Sequence, residues 1–215
     1  MLTRLHISSF LGLTVVAWLL ALWAEGRPLI TLEFLRPFGI LVSVITVVAV
    51  VFARHAWSWR IFQGWYVKRP DVRGTWKVRL VSDYVDPKTG EPVPPIRAYA
   101  TIRQTLTTLS LRLLTPESKS KLIAHSIEEQ NDGVYTLAGV YRNEPKIELQ
   151  GGQSDIHHGA LSLEIYGSPP AALEGHYFTD RKTRGSMKLY ERRGAYYDTY
   201  ESAEVGFAKP PTDWP

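Results

Sequence analysis

From residue 70 onward, apolar and polar residues alternate with a period of two, and this pattern restricts the fold more than any other feature of the chain. Such alternation is typical of β-strands with one buried and one exposed face. It recurs in eight short segments, with turn signals at 131–133 and 167–170 among those that separate them. The residues that share one face in successive segments are Trp76, Val78, Leu80 and Ser82; Ile96, Ala98, Ala100, Ile102 and Gln104; Leu109, Leu111 and Leu113; Ser120, Leu122 and Ala124; Leu137, Gly139 and Tyr141; Leu161, Leu163 and Ile165; Leu173, Gly175, Tyr177, Thr179 and Arg181; and Met187 and Leu189.

These segments predict an all-β domain, either an eight-stranded antiparallel up-and-down β-barrel or a closed sandwich. A barrel of eight strands has room for packed side chains or for one small ligand. Gly139, Gly159 and Gly175 lie inside the segments, where glycine permits tight curvature. We expect the minimal eight-stranded β-barrel.

Two hydrophobic spans precede the strands, at residues 5–24 and 38–53. The first has about the ~20 residues needed to cross a bilayer. The second is uncharged and β-branched, and lipid would force such a segment into a helix. A signal peptide is the alternative for the first span, but a second span follows closely and residues 22–24 are not a small-x-small cleavage site. We therefore predict a two-helix transmembrane hairpin ahead of the barrel.

Cations predict the orientation of the hairpin. The loop between the spans is charge-balanced, whereas five cations follow the second span against the single Asp71: Arg54, Arg60, Lys68, Arg69 and Arg73. The positive-inside rule places both termini and the barrel in the cytoplasm. The predicted domains are a hairpin at 1–60, a linker at 61–73, a ligand-sensing barrel at 74–193 and a tail at 194–215.

Composition excludes several kinds of chemistry. The chain has 215 residues, a net charge of +4 and no cysteine, which rules out disulfides, thiolate zinc sites and cysteine nucleophiles. It has no P-loop, no Gly-x-Ser-x-Gly, no His-Glu-x-x-His and no Rossmann glycine pattern. We therefore predict a protein that is not an enzyme, with no cofactor and no metal. His157 and His158 are adjacent on a strand and point to opposite faces, so they cannot easily share an ion.

The unusual polar clusters fall at one end of the predicted barrel. Antiparallel strands alternate in direction, so the end opposite the start of the first strand collects the loop after Tyr84, the turn at 115–119, the connection at 141–157 and the turn at 178–185. An open mouth there would suit a receptor for a soluble ligand.

The turn at 178–185 carries two arginines and two hydroxyls. Alternation predicts that Tyr177, Thr179 and Arg181 point inward. Arginine can bind a phosphate or a carboxylate through two hydrogen bonds at once. Two other interpretations remain open: Arg181 pairs with Asp180, or it packs on Trp76, as an arginine caps the tryptophan of Gly-x-Trp in lipocalin-like barrels.

Three further clusters lie at the same end. Residues 115–120 offer hydroxyls and a lysine, or an ordinary Pro-Glu-Ser turn. Tyr141 and Asn143 offer a ring for stacking and an amide for base edges, or merely a strand end. We place His157 near the mouth and His158 at the surface. From residue type and phase, Arg181 and Arg184 are candidates for phosphates, Tyr141 and Tyr177 for stacking, and a last group for hydrogen bonds: Asn143, Ser118, Ser120 and Thr179.

In order along the chain, these pieces resemble the two-transmembrane β-barrel effectors of bacterial CBASS, the cyclic-oligonucleotide-based anti-phage signalling system. The resemblance covers about residues 5–192 and leaves the Tyr-rich tail outside. It rests on the hairpin and on six ordered motifs: Gly74-x-Trp76, Ile102-x-Gln104, Ser118-x-Ser120, Tyr141-x-Asn143-x-Pro145, His157-x-Gly159, and Gly175-x-Tyr177-Phe178-Thr179-Asp180-Arg181-x-Thr183-x-Gly185.

The resemblance implies a membrane effector of antiviral defence. Its barrel binds a cyclic dinucleotide made by a partner CD-NTase, the nucleotidyltransferase activated by infection. Binding drives homo-oligomerisation, the inner-membrane bilayer is disrupted, and infection is abortive. No DNA or RNA polymer is implied as a partner. The competing interpretations are a membrane-tethered lipocalin-like carrier of a small apolar ligand, an enzyme with an unrecognised site, and a structural membrane protein.

Overall fold

The computed structural model describes residues 4–24, 38–86, 89–130, 132–151 and 155–209. The chain divides into two units, which are described separately. The first comprises the described residues up to Arg69 together with Thr105–Thr108, and the second comprises Pro70–Gln104 and the described residues from Leu109 on. The division falls inside the predicted linker at 61–73.

The first unit contains two helices, α1 at Arg4–Ala24 and α2 at Phe38–Arg54. Hydroxyl groups within them donate to the carbonyl four residues earlier, as Thr14 does to Phe10 and Thr46 to Val42, so these polar atoms are satisfied inside apolar helices. In the part of the chain that the structure describes, no helix is both long and apolar enough to span a membrane. The transmembrane hairpin stays a prediction.

A small aromatic cluster follows α2. Trp57 and Val67 are buried with Leu106, and Phe52, Phe62 and Tyr66 pack around them. Trp59 and Trp65 are exposed. Trp57 thus belongs to a small local core, whereas Trp59 and Trp65 form part of an apolar surface of this unit.

The second unit is a closed barrel of eight antiparallel strands joined in sequence order, which confirms the predicted β-barrel and excludes the sandwich. The strands are β1 Gly74–Ser82, β2 Ile96–Gln104, β3 Leu109–Leu114, β4 Ser118–Glu129, β5 Tyr135–Pro145, β6 His157–Tyr166, β7 Ala172–Thr179 and β8 Arg184–Arg193. The eighth strand pair, between β1 and β8, closes the barrel, so the sheet has no free edge. The in-phase apolar residues of the strands form one core, with the exception of Ala124. Ala124 was predicted to face inward with Ser120 and Leu122, but it is exposed because the register shifts between Leu122 and Ala124.

One end of the barrel is closed by the residues that precede β1. Val72 is fully buried in the core, and its backbone N–H donates to Gln104 Oε1 over 3.0 Å. The Nε2 of the Gln104 side chain donates to the Pro70 carbonyl over 3.0 Å. Trp76 Nε1 donates to the Val72 carbonyl, and the Arg192 guanidinium lies 5.6 Å from the Trp76 ring centroid. Arg192, not Arg181, is thus the arginine that covers this tryptophan.

The tail, which the sequence left unassigned, folds onto the outside of the barrel. Helix α3, Tyr200–Ala208, starts with a capping box between Thr199 and Ser202. Phe207 is buried and stacks on Tyr99 of β2 with ring centroids 5.2 Å apart. Arg193 donates to three carbonyls at the end of α3, those of Gly206, Phe207 and Lys209, and so caps the helix.

Candidate functional site

The end of the barrel opposite the start of β1 contains a cavity of about 540 Å³. Four connections surround this open end, here called the mouth: those between β1 and β2, β3 and β4, β5 and β6, and β7 and β8. The predicted clustering at one end is therefore confirmed. Eight of the nine predicted site residues line the cavity, namely Ser118, Ser120, Tyr141, Asn143, His157, Tyr177, Thr179 and Arg181.

A polar row crosses three strands just inside the mouth. Strand register places Ser120 opposite Asn143, and Asn143 opposite His157. Ser120 Oγ donates to Asn143 Oδ1 over 2.8 Å, and both residues are buried. This bond turns the Asn143 amide nitrogen towards His157, whose Nδ1 lies 3.5 Å away.

His157 Nδ1 also lies 3.1 Å from the Asp155 carbonyl oxygen. One ring nitrogen cannot donate to Asp155 and accept from Asn143 at the same time. The shorter contact favours an Nδ1–H that donates to Asp155. In that tautomer an Asn143 N–H is available to a ligand as a donor and His157 Nε2 as an acceptor.

Two tyrosines lie against glycines of the neighbouring strands. Register pairs Tyr141 with Gly159 and Tyr177 with Gly185. A side chain added at Gly159 would collide with the Tyr141 ring, and one added at Gly185 would lie 2.8 Å from the Tyr177 ring. The rings therefore occupy the space that a larger residue would fill, along the cavity wall.

The phenol of Tyr141 is held in its neutral form. Burial is the main cause that raises its pKa well above the ordinary value, and the nearby Tyr177 and Asp180 add to the effect. Tyr141 is therefore a neutral donor and an apolar face rather than an anion.

The β7–β8 turn presents Arg181 to the cavity. Thr179 N–H donates to the Thr183 carbonyl over 2.8 Å, and the two hydroxyls lie 2.7 Å apart. Lys182 has a positive φ of 64°, which tightens the turn. Arg181 Nη2 donates to the Asp155 carbonyl over 2.7 Å, so the guanidinium is tied to the β5–β6 connection.

Arg184 is the one predicted site residue that the structure leaves outside the cavity. Its Nε lies 3.2 Å from Asp83 Oδ2, and its side chain is 84% exposed. Arg184 stands three residues from Arg181, beyond the turn, and register pairs it with the outward-facing Phe178. The sequence pattern could not show at which residue the turn ended, nor therefore which residues of β8 would face inward.

The adjacent histidines face opposite sides, as predicted. His157 lines the cavity, whereas the His158 side chain is 54% exposed and its Nδ1 lies 3.9 Å from Asp180 Oδ2. Across the described ranges, no group of three or more His, Asp or Glu side chains is arranged to hold a metal ion.

The turn between β3 and β4 is held by its own hydroxyls. Ser118 N–H donates to Thr115 Oγ1 over 2.9 Å, and the Thr115 and Ser118 hydroxyls lie 3.0 Å apart. Ser118 thus combines the two interpretations weighed for it: it builds the turn and it lines the cavity. Glu117, between them, also lines the cavity.

Several lining residues were not among the predicted site residues. The floor is apolar and is formed by in-phase core residues, Leu80, Leu111, Leu113, Leu122, Leu161 and Met187. Ser82 and Thr183 add hydroxyls, and Tyr84 and Val93 bring the β1–β2 loop to the mouth. The alternation in β1 already predicted that Ser82 faces inward like Trp76. Tyr84 and Val93 lie in a loop, where no alternation indicates which side chains face the cavity.

A closed eight-stranded barrel with an apolar floor and a polar, aromatic mouth belongs to the class of small-molecule-binding barrels. Residues 67–192, more than half of the chain, match the family model described as Cap15, cyclic dinucleotide receptor domain. The chain belongs to this family of CBASS effectors, which confirms the resemblance that the sequence motifs indicated. No curated protein matches the chain significantly.

Proposed function

We propose that the cavity at the mouth is the cyclic dinucleotide site of this receptor domain. The observation that carries the proposal is the convergence of eight residues, chosen by type and strand phase, on one cavity of about 540 Å³. That volume lies within the range of sites that enclose small organic ligands. Arg181 would hold a phosphate, Tyr141 and Tyr177 would stack on bases, and five residues would form hydrogen bonds: Ser118, Ser120, Asn143, His157 and Thr179.

We further propose that ligand binding drives homo-oligomerisation and disruption of the bacterial inner membrane, which ends in abortive infection. A ligand can favour an assembled state only by binding that state more tightly. The apolar helices α1 and α2 are the segments we assign to the bilayer, with the barrel in the cytoplasm. Confinement to one membrane would raise the effective concentration of the helices for one another. The ligand would come from a CD-NTase, and the protein itself would not be an enzyme.

The test uses the full chain in detergent micelles. Its melting temperature is followed during titration with a panel of cyclic di- and trinucleotides. A ligand that binds the folded state alone raises the melting temperature with concentration, so we expect a large rise with one member of the panel.

No rise with any member, in a chain that melts cooperatively, would contradict the proposed site. A rise with apolar small molecules alone would favour the lipocalin-like carrier. The membrane step is tested separately, by ligand-dependent release of a dye from liposomes that contain the full chain. Ligand binding without release would contradict the effector proposal while leaving the receptor intact.

A further inference from the structure

The mouth of the cavity carries opposite charges on opposite sides. Arg181 lies in the β7–β8 turn and Glu117 in the β3–β4 turn, and both line the cavity. In a closed barrel with strands in sequence order, these two turns are separated by half the circumference. From the spacing and tilt of strands, the walls of an eight-stranded barrel lie about 16 Å apart. A ligand in the mouth therefore lies between a turn that carries a cation and a turn that carries a carboxylate.

The backbone of Glu117 is fixed. Its N–H lies 3.3 Å from Thr115 Oγ1, and its carbonyl accepts from Lys146 N–H over 2.8 Å. Two cations of the neighbouring chain pair elsewhere, since Lys146 Nζ lies 3.7 Å from Glu201 and Arg142 Nε 3.1 Å from Glu144. Within the described part of the chain, no cation forms an ion pair with the Glu117 carboxylate.

A carboxylate in a site for an anionic ligand has a definite consequence. It repels phosphate, and it accepts hydrogen bonds from N–H groups, which on a nucleotide belong to the base. Bonds to an ionised acceptor are stronger than neutral ones. Glu117 thus disfavours a phosphate on its own side and favours a base edge that presents donors.

We propose that Glu117 is a specificity-determining residue, which accepts hydrogen bonds from the exocyclic amino group of a nucleobase while the phosphates lie towards Arg181. The inference rests on the proposed function of the cavity. Adenine, guanine and cytosine carry such an amino group and uracil does not. The N3–H of uracil lies between two carbonyl oxygens, which a carboxylate repels. The site therefore selects cyclic dinucleotides that contain at least one amino-bearing base.

The test compares the affinities of the full chain, in detergent, for cyclic di-AMP, cyclic di-GMP and cyclic di-UMP. The wild type is expected to bind the better of the two purine ligands at least about ten-fold more tightly than cyclic di-UMP. Glu117→Gln replaces charge-assisted bonds by neutral ones and removes the repulsion of phosphate. The variant is expected to bind that purine ligand with about five- to ten-fold lower affinity, and to bind cyclic di-UMP with unchanged or higher affinity. Glu144→Gln, at an outward-facing residue paired with Arg142, is the matched control and is expected to leave all three affinities unchanged.

The outcomes separate the two proposals. A wild-type chain that prefers cyclic di-UMP overturns the role of Glu117 without any variant. An equal change for all three ligands in Glu117→Gln overturns it as well, and both results leave the receptor site in place. A folded wild-type chain that binds none of the ligands, nor any other member of the wider panel, overturns the proposed function itself.

Discussion

Arg181 and Arg184 are three residues apart, yet they lie in different surroundings. Arg181 lines the cavity, whereas Arg184 pairs with Asp83 on the outer face. Arg181→Ala is expected to weaken cyclic dinucleotide binding at least about ten-fold, because a charge-assisted contact to phosphate is lost. The measurement is a binding titration of the full-length variant.

Two other arginines serve as comparisons for this prediction. Arg79→Ala, at an exposed residue of β1, is the control and is expected to leave affinity unchanged. Arg184→Ala tests the phosphate role that the sequence predicted for that residue, and the geometry leads us to expect a change below about three-fold. Unchanged affinity in a folded Arg181→Ala chain would remove Arg181 from the site.

Tyr141 makes stability depend on pH in the alkaline range. Its pKa in the folded protein is raised above the ordinary value of 10.0, chiefly by burial. The unfolded chain therefore loses this proton first, and stability that is fully present below pH 10 is lost as the pH rises. By pH 10.5 the loss amounts to roughly 1 kcal/mol.

Tyr141→Phe has no phenol to ionise, so it isolates this effect. The free energies of unfolding of the wild type and the variant are measured by chemical denaturation at pH 8 and at pH 10.5. Between these two pH values, the wild type should lose roughly 1 kcal/mol of stability relative to the variant. A difference that does not change with pH would contradict the burial of a neutral phenol.

At the scale of elements, α3 extends the fold beyond the matched family region. Phe207 is 8% exposed and stacks on Tyr99, whereas Val205 of the same helix is 58% exposed. Phe207→Ala is expected to lower the free energy of unfolding by roughly 3 kcal/mol, because a buried ring is removed. Val205→Ala is the matched control and should change it by less than about 0.5 kcal/mol. Equal denaturation midpoints for the two variants would show that the tail does not stabilise the barrel.

Element boundaries show where pattern reading succeeds and where it fails. Eight strands were predictable because a period of two records which face is buried. The fourth strand was recognised only near its start, and it runs on to Glu129 after a register shift between Leu122 and Ala124. A bulge adds a residue and reverses the phase, so alternation past it no longer reports on the face.

At the scale of the whole molecule, the proposed membrane role predicts that a charge within α2 prevents bilayer association. Val47 lies in the uncharged part of this helix and is 62% exposed. An aspartate at the centre of a membrane helix costs about 2.5–3.5 kcal/mol. Val47→Asp is expected to move the full chain from the membrane fraction and to abolish ligand-dependent dye release.

Val47→Leu is the control and should behave as the wild type. Sedimentation after alkaline extraction measures the association. A Val47→Asp chain that stays in the membrane fraction would argue against α2 as a spanning segment.

The sequence alone determined the strand count, the inward face of the strands except beyond the bulge in β4, and the end of the barrel at which the polar motifs gather. Those properties follow from local alternation and from the reversal of direction at each turn, and both can be read without knowing any contact. The motifs also led to the correct family, because residues such as Trp76 and Tyr177 recur at defined places in an ordered set.

Only the tertiary structure decided which residues meet. Register across β4, β5 and β6 set Ser120, Asn143 and His157 in one row, and barrel closure put Glu117 opposite Arg181. Closure of the barrel also placed Arg192 over the Trp76 ring and left Arg184 outside the cavity. These contacts join residues that are distant in sequence, and they depend on register, bulges and turn geometry, which a periodic pattern does not encode.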